Sequence, residues 1–260
     1  MCVGSLAPIM NSPLLQLDDV GIHFGALKAV DGITLSLRAG ERVAILGPNG
    51  AGKTTLFNAI TGMAPASTGT VRLDGHDITR MTPNGRAQRG VARTFQITNL
   101  FFGLTVADNL LLAARGRARS RFAIWRDGGA QGTEQQLIDT ALAACHLQHK
   151  RDVLVKEIAY GEQRQLELAM SLTSAPRLLL LDEPAAGLSP AERVVMADVI
   201  RALPSSLSLI LIEHDIDLAL GLVDRVICMV QGRVLVEGTP EEIRGNPQVQ
   251  EIYLGRPRSA

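Results

Sequence analysis

Two stretches near the N-terminus alternate between apolar and polar positions. They read LLQLDDVGIHF and ITLSLRAGERVAIL, and each is interrupted by Gly or Asp. Such alternation is typical of half-buried strands, whereas a short continuous apolar run is typical of a strand buried on both faces. We therefore predict antiparallel strands from Leu14 onward that lead into a buried strand at residues 43–46.

A helix and a hairpin are predicted next along the chain. The segment TTLFNAITGM follows Lys53 directly and reads as a helix that ends at Gly62. The segment GTVRLDGHDI contains Asp74-Gly75, which is a strong turn signal between two strand-like runs. A helix followed by a hairpin is the prediction for this part of the chain.

The pattern returns to strands and helices after residue 176. RLLLLDEP and SLSLILIEHD contain continuous apolar runs, which predict two buried parallel strands. Two helices are predicted to begin at capping boxes with Pro at the first helical position. One box joins Ser189 to Glu192, and the other joins Thr239 to Glu242.

The middle of the chain has a helical pattern instead. LTVADNLLLAARGRAR and EQQLIDTALAACHL place apolar residues at helical spacing, and Thr105 with Asp108 forms a capped helix start. The arginine-rich stretch at residues 116–132 has no periodicity, which favours an exposed loop whose charge faces solvent rather than a partner.

These patterns together predict a single domain with an insertion. We expect an α/β domain over residues 14–255, with a helical subdomain inserted at about residues 97–160. Residues 1–13 and 256–260 are expected to be flexible termini.

Composition narrows the function classes. The chain has 260 residues, of which 46% are hydrophobic and 20% charged, so it can bury a full core. Lys plus Arg and Asp plus Glu both number 26, so no net field draws the protein to nucleic acid or anionic lipid, and we expect no nucleic-acid partner.

Three widely spaced cysteines without a CxxC pair argue against a disulfide framework or a zinc site, and favour a reducing cytosol. No secretory leader and no apolar run of about 18 residues is evident, so no membrane span is predicted.

The strongest chemical signal is GPNGAGKTT at residues 47–55, a full GxxxxGK[ST] match between an apolar strand and a predicted helix. The glycines let successive backbone N–H groups surround the β- and γ-phosphates of a nucleotide at the positive end of a helix. Lys53 adds a cation, and Thr54 offers its hydroxyl to Mg²⁺. The sequence therefore predicts that ATP and Mg²⁺ bind here. The residues expected at the phosphates are Gly47, Pro48, Asn49, Gly50, Ala51, Gly52, Lys53, Thr54 and Thr55.

A pair of carboxylates follows the apolar run at residues 178–181. A carboxylate at the C-terminal edge of a buried parallel strand lies where such sheets bind ligands. Asp182 is expected to hold Mg²⁺, directly or through water. Glu183 is expected to point away from the metal and to accept a proton from the attacking water.

Three further segments resemble motifs of the ATP-binding cassette (ABC) ATPases. Residues 158–164, IAYGEQR, are similar to the signature motif, residues 94–96, TFQ, to the Q-loop, and residues 212–215, IEHD, to the segment of the switch histidine. The motifs occur in the order of that family and span nearly the whole chain. The resemblance implies an α/β P-loop NTPase fold with an antiparallel β subdomain and an inserted helical subdomain.

The resemblance also implies roles for individual residues. Gln96 would contact Mg²⁺ or the attacking water, although a solvated loop glutamine is the alternative. His214 would bond the γ-phosphate and hold Glu183 in place, unless it is a structural histidine. Phe24 matches the aromatic that stacks on adenine, although a core phenylalanine is a serious alternative. The residues implied to meet the nucleotide of a facing cassette are Ala159, Tyr160, Gly161 and Glu162.

Two departures from the common ABC pattern carry information. Ala159 replaces the signature serine whose hydroxyl contacts the opposite γ-phosphate, so we expect weakened rather than absent closure of a dimer. AGLS at residues 186–189 replaces the usual Ser-Ala-Leu-Asp after the catalytic strand, and Ser189 also caps a helix. With the tail EGTPEEI at residues 237–243, these segments are similar to the ATPases of branched-chain amino acid importers, and the length and the loop near Trp125 resemble their longer, LivG-type subunits.

This resemblance implies partners and a location. Two cassettes, identical or paralogous, would close around two Mg-ATP molecules and act on two integral-membrane permease subunits, with a periplasmic solute-binding protein as an indirect partner. The chain would be cytoplasmic and peripheral on the inner face of the membrane. The alternatives are a cassette for urea, amides or another small solute, a soluble cassette ATPase that remodels nucleic acid or ribosomes, and a small-molecule P-loop kinase. The signature segment and His214 argue against the kinase.

Overall fold

The computed structural model describes residues 13–94, 100–116 and 129–254. Gln96, most of the basic stretch predicted at 116–132, and nearly all of the predicted termini lie outside the described residues. No helix in these ranges is long and apolar enough to cross a membrane.

The described residues form ten β-strands, nine α-helices and two 3₁₀ helices. The strands are β1 (Leu15–Phe24), β2 (Leu27–Leu37), β3 (Arg42–Leu46), β4 (Thr68–Leu73), β5 (His76–Asp77), β6 (Val91–Arg93), β7 (Leu178–Asp182), β8 (Ser208–Ile212), β9 (Arg225–Val230) and β10 (Arg233–Gly238). The α-helices are α1 (Lys53–Thr61), α2 (Pro83–Gln88), α3 (Val106–Gly116), α4 (Gly129–Ala144), α5 (Tyr160–Leu172), α6 (Pro190–Ala202), α7 (Ile216–Leu220), α8 (Pro240–Gly245) and α9 (Pro247–Leu254). The 3₁₀ helices are Gln148–Lys150 and Val155–Glu157.

The strands form two sheets of different character. One sheet has four strands in the order β2-β1-β4-β5, and every neighbouring pair in it is antiparallel. The other has six strands in the order β10-β9-β3-β8-β7-β6, of which only the β10–β9 pair is antiparallel. A largely parallel sheet needs both faces covered, so its central strands are expected to be apolar throughout.

The six-stranded sheet separates two hydrophobic cores. Alternate residues of its strands, such as Val43, Ile45 and Leu180, pack with α1 and the four-stranded sheet. The residues between them, such as Ala44 and Leu181, pack with the helices on the other face. This arrangement buries all five residues of β7 and all five of β8, and it fixes the carboxyl ends of the parallel strands on one edge.

Most sequence predictions for the elements are confirmed. The helix after the phosphate loop ends at Gly62, and the hairpin turns on Asp74-Gly75. The predicted α/β P-loop fold with an antiparallel sheet and inserted helices is the fold observed, because α3 and α4 lie between β6 and β7 in the chain.

The predicted helix caps are also present. The hydroxyls of Thr105, Ser189 and Thr239 each accept a hydrogen bond from the backbone N–H three residues later. Several elements were not predicted, among them the short α2, β6 and α7, the antiparallel pair β9 and β10, and α9. β6 has only three residues and pairs with β7 at the edge of the sheet, so its structure depends on a distant strand rather than on a local pattern.

Candidate nucleotide site

The phosphate loop lies between β3 and α1 and depends on two glycines that cannot carry a side chain. A Cβ on Gly47 would lie 2.3 Å from the carbonyl oxygen of Met229, and a Cβ on Gly52 would lie 2.3 Å from that of Ala29. Gly52 also has a φ of +97°, which favours glycine. Backbone atoms of the four-stranded sheet and of β9 therefore pack directly against the phosphate loop on two sides and fix its backbone conformation.

The first turn of α1 has no side-chain cap. Its N-cap is Gly52, and no acidic residue lies in the first turn, whereas α6 and α8 both begin with complete capping boxes. Free N–H groups and the helix dipole make such a terminus an anion site. The contrast within one chain indicates that a ligand anion supplies the missing cap of α1.

Lys53 is buried beside this terminus. Its ammonium donates to the carbonyl oxygens of Gly47 (2.6 Å) and Pro48 (3.1 Å). Burial lowers the pKa of Lys53, while the nearby carboxylates of Glu183 and Asp182 oppose that shift. The amine is thus held at the loop by backbone acceptors and is available to an incoming phosphate.

Asp182 ends β7 as a fully buried carboxylate. Its Oδ2 accepts from the guanidinium of Arg93 at 2.5 Å, and its backbone N–H donates to Thr94 Oγ1 at 3.3 Å. Its Oδ1 is buried and has no hydrogen-bond partner among the described residues. A carboxylate oxygen of this kind, with the exposed hydroxyl of Thr54, is a donor set that suits Mg²⁺.

Glu183 and His214 meet although they are distant in sequence. His214 follows β8, and its Nε2 lies 2.7 Å from Glu183 Oε1. Glu183 has a left-handed backbone with a φ of +51°, which is uncommon for a residue with a side chain. Its N–H donates to the carbonyl of Ile212 at 2.9 Å, so the end of β8 holds both partners.

These groups line one cavity of about 370 Å³. The side chains of Glu183 and His214 are 22% and 45% exposed, so water can reach both. The lining residues are Leu27, Lys28, Ala29, Asn49, Gly50, Ala51, Gly52, Lys53, Thr54, Thr55, Glu183, His214, Gln231 and Gly232. The predicted phosphate loop, Glu183 and His214 therefore share one site, and Asp182 adjoins it at the end of β7.

Phe24 lies at the edge of this arrangement. It is the last residue of β1, is 59% exposed and is not part of the cavity lining. Leu27, across the hairpin from it, does line the cavity and is 64% exposed. The core alternative for Phe24 is wrong, and its contact with a base stays a prediction.

The signature residues lie at the start of α5 and touch their own chain. The carboxylate of Glu162 accepts from the N–H of Ala159 at 2.9 Å, and the N–H of Gly161 donates to Glu192 Oε1 at 3.1 Å. The hydroxyl of Tyr160 donates to the carbonyl of Ala186 at 3.4 Å. Within this chain the segment therefore packs on the loop that follows Glu183, and it does not line the cavity of the phosphate loop.

Several residues of the site carried no signal in the sequence. Arg93, which pairs with Asp182, precedes the Q-loop segment as an ordinary arginine. Lys28 and Gln231 reach the cavity only because β2 and the β9–β10 turn pack beside the phosphate loop. Local motifs name the groups that carry chemistry, whereas these neighbours come from the tertiary fold.

Comparison with known proteins gives the family. The profile described as "ABC transporter" matches residues 30–186, and the profile described as "Branched-chain amino acid ATP-binding cassette transporter" matches residues 233–258. The high-affinity branched-chain amino acid transport ATP-binding protein BraF of Pseudomonas aeruginosa is 38% identical, covering 95% of this chain and 99% of its own length. The corresponding protein LivG of Escherichia coli K12 is 37% identical over the same shares.

Solved structures agree with the sequence relatives. The ADP conformation of MJ1267, an ATP-binding cassette of an ABC transporter, is 28% identical with a TM-score of 0.82, covering 95% of this chain and all of that one. A nucleotide-free ATP-binding cassette from an ABC transporter is 29% identical with a TM-score of 0.80, covering 94% of this chain and all of its own. The site geometry, the fold and these relatives lead to one conclusion: the chain belongs to the ATP-binding cassette family and is a nucleotide-binding ATPase of the ABC transporter type.

Proposed function

We propose that the chain is the ATP-hydrolysing subunit of an importer for branched-chain amino acids. The observation that carries the catalytic part is the pairing of Glu183 with His214 at 2.7 Å on the wall of the cavity that the phosphate loop forms. The transport part is supported by relatives named for branched-chain amino acid transport over 95% of the chain, and by the matching profile at residues 233–258.

The residues act on ATP in defined ways. The N–H groups at the start of α1 and the ammonium of Lys53 hold the β- and γ-phosphates. Glu183 accepts a proton from a water molecule while the oxygen of that water attacks the γ-phosphorus. The bond between the γ-phosphorus and the β-phosphate oxygen breaks, which leaves ADP and phosphate. His214 holds the carboxylate of Glu183 through Nε2, and when ATP is bound that N–H would be shared with a γ-phosphate oxygen.

Thr54 and Asp182 would hold Mg²⁺, and the unpartnered buried Oδ1 of Asp182 supports that assignment. A bound Mg²⁺ would neutralise charge that develops on the phosphates. Gln96, the third residue expected at the metal or the water, lies outside the described residues.

The partners follow from the same proposal. Residues 159–162 would meet the nucleotide of a second cassette, identical or paralogous, and the pair would act on two integral-membrane permease subunits. A periplasmic solute-binding protein would deliver the amino acid, which never touches this chain. The chain would then work at the cytoplasmic face of the membrane.

Glu183→Gln tests the catalytic assignment. Loss of the base should lower ATP turnover by about 10²–10⁴-fold, while ATP binding is kept and ATP-dependent dimers accumulate. Glu241→Gln, an exposed glutamate of α8 outside the cavity, is the matched control and should leave turnover unchanged. Unaltered turnover in Glu183→Gln would remove this residue from the base role.

Uptake in cells tests the transport assignment. A strain that lacks this chain should lose uptake of labelled leucine, isoleucine and valine, and the wild-type chain but not Glu183→Gln should restore it. Restored uptake of urea or an amide, with leucine uptake unaffected, would assign the chain to another small-solute importer. Unchanged uptake of every solute would favour a soluble cassette ATPase.

A further inference from the structure

The backbone of Glu183 needs support from outside its own segment. Its φ of +51° lies in the left-handed region, which glycine adopts easily but which is strained for a residue with a side chain such as glutamate. A base must also be held in hydrogen-bond reach of its water, because small displacements lower the rate. Whatever fixes this one peptide therefore contributes to the position of the carboxylate.

Two groups bind the carbonyl oxygen of Glu183. One is the backbone N–H of Ala186, three residues on, at 3.1 Å. The other is the Nη2 of Arg164 at 2.8 Å, from helix α5. The Arg164 side chain is only 7% exposed, and its Nη1 donates to Glu167 Oε2 at 2.6 Å. A buried guanidinium held at both ends is a rigid support.

The same helix begins with the signature residues. Gly161 and Arg164 are three positions apart, so they lie on one face of α5. Gly161 and Tyr160 contact Glu192 and Ala186. The start of α5 therefore contacts the segment of residues 183–192, which includes the first turn of α6. Arg164 is the residue of this contact that reaches the peptide of Glu183.

We propose that Arg164 is a positioning residue for Glu183, and that it links the signature turn of a cassette to that cassette's own base. This inference rests on the proposed function, because it takes Glu183 as the base. A nucleotide that binds the signature turn from a facing cassette displaces the start of α5, and Arg164 passes that displacement to the peptide of Glu183.

Three variants separate positioning from folding. Arg164→Met removes the bond to the Glu183 carbonyl, and Arg164→Lys keeps a cation without the paired geometry. Arg201→Met, which replaces an exposed arginine of α6 outside this contact, is the matched control. We expect Arg164→Met to lower kcat by about 10–100-fold, with KM and Kd for ATP within about threefold. Arg164→Lys should recover part of kcat, and Arg201→Met should stay within about threefold of wild type.

A double variant distinguishes the two proposals. In a Glu183→Gln background, Arg164→Met should lower the residual turnover by less than about threefold, because there is no base left to position. A full further loss in that background, or an unchanged kcat in Arg164→Met alone, would overturn the role of Arg164 while leaving the proposed function intact. Unchanged turnover in Glu183→Gln alone would instead remove the base, and with it both proposals. If Arg164→Met does not fold, Arg164→Lys carries the same comparison.

Discussion

Arg86 is a fully buried arginine that should be essential for the stability of the phosphate-loop helix. Its side chain is on α2 and 1% exposed, and it donates to the carbonyl oxygens of Ala59, Ile60 (2.8 Å), Thr79 (2.9 Å) and Met81 (3.1 Å). Two of these carbonyls belong to the last turn of α1, where a cation also complements the helix dipole.

Replacing Arg86 with Met keeps the bulk of the side chain and removes all of its donors. Each bond is worth about 1 kcal/mol net, and a buried acceptor left without a partner costs about 1–3 kcal/mol. Some loss is relieved because the N–H of Gly62 also donates to Ala59 at 3.3 Å. We expect the free energy of unfolding to fall by about 3–5 kcal/mol, which is a large effect for one substitution.

Urea unfolding followed by circular dichroism, without nucleotide, measures this loss. Arg89→Met is the matched control, because Arg89 is an exposed arginine at the end of the same helix and should change stability by less than about 0.5 kcal/mol. A loss below about 1 kcal/mol for Arg86→Met would refute the reasoning, since the four carbonyls would then find other donors at little cost.

Two further predictions concern the nucleotide. Lys53→Ala removes the ammonium that is held at Gly47 and Pro48, so the Kd for ATP should rise at least about tenfold in a titration. The control is Lys28→Ala, because Lys28 lies at the rim of the same cavity. If both variants weaken ATP binding equally, Lys53 has no special role. Ala159→Ser adds a hydroxyl at the N-cap of α5, where the wild-type chain has no side-chain cap. It should stabilise the fold by about 1 kcal/mol and increase the fraction of ATP-dependent dimers in size-exclusion chromatography. The same gain in Ala159→Gly would mean that the hydroxyl is not responsible.

The sequence predicted those elements that carry their own local signal. The capping boxes at Ser189 and Thr239 determine where α6 and α8 begin, because their partners are three residues away. The five apolar residues of β8 predict a strand buried on both faces. α2 is different, since it is six residues long and holds its place through Arg86, whose acceptors come from α1 and from the segment that precedes α2. A pattern read along the chain cannot reveal such a helix.

The residues of the candidate site likewise differ in whether the sequence alone could identify them. Lys53, Asp182, Glu183 and His214 were recognised because each lies in a motif with a chemical reason for its residue types. Arg93 was not singled out, and Arg164 was only the last residue of the signature segment with no role assigned to it. Their partners, Asp182 and the carbonyl of Glu183, are brought to them only by the sheet and by α5. The residues that hold a reactive group in place need no particular spacing from it, so sequence spacing does not identify them.

The signature turn shows how the tertiary fold can change the interpretation of a motif. The family resemblance implies that Gly161 meets the nucleotide of a facing cassette, but in this chain its N–H donates to Glu192 at 3.1 Å. A carboxylate and a phosphate seek the same positive end of a helix. A facing nucleotide that binds as we propose must therefore displace an anion that is already bound, and it must do so without the hydroxyl that Ala159 lacks. Both features act in the same direction, because each lowers the free energy gained when two cassettes close.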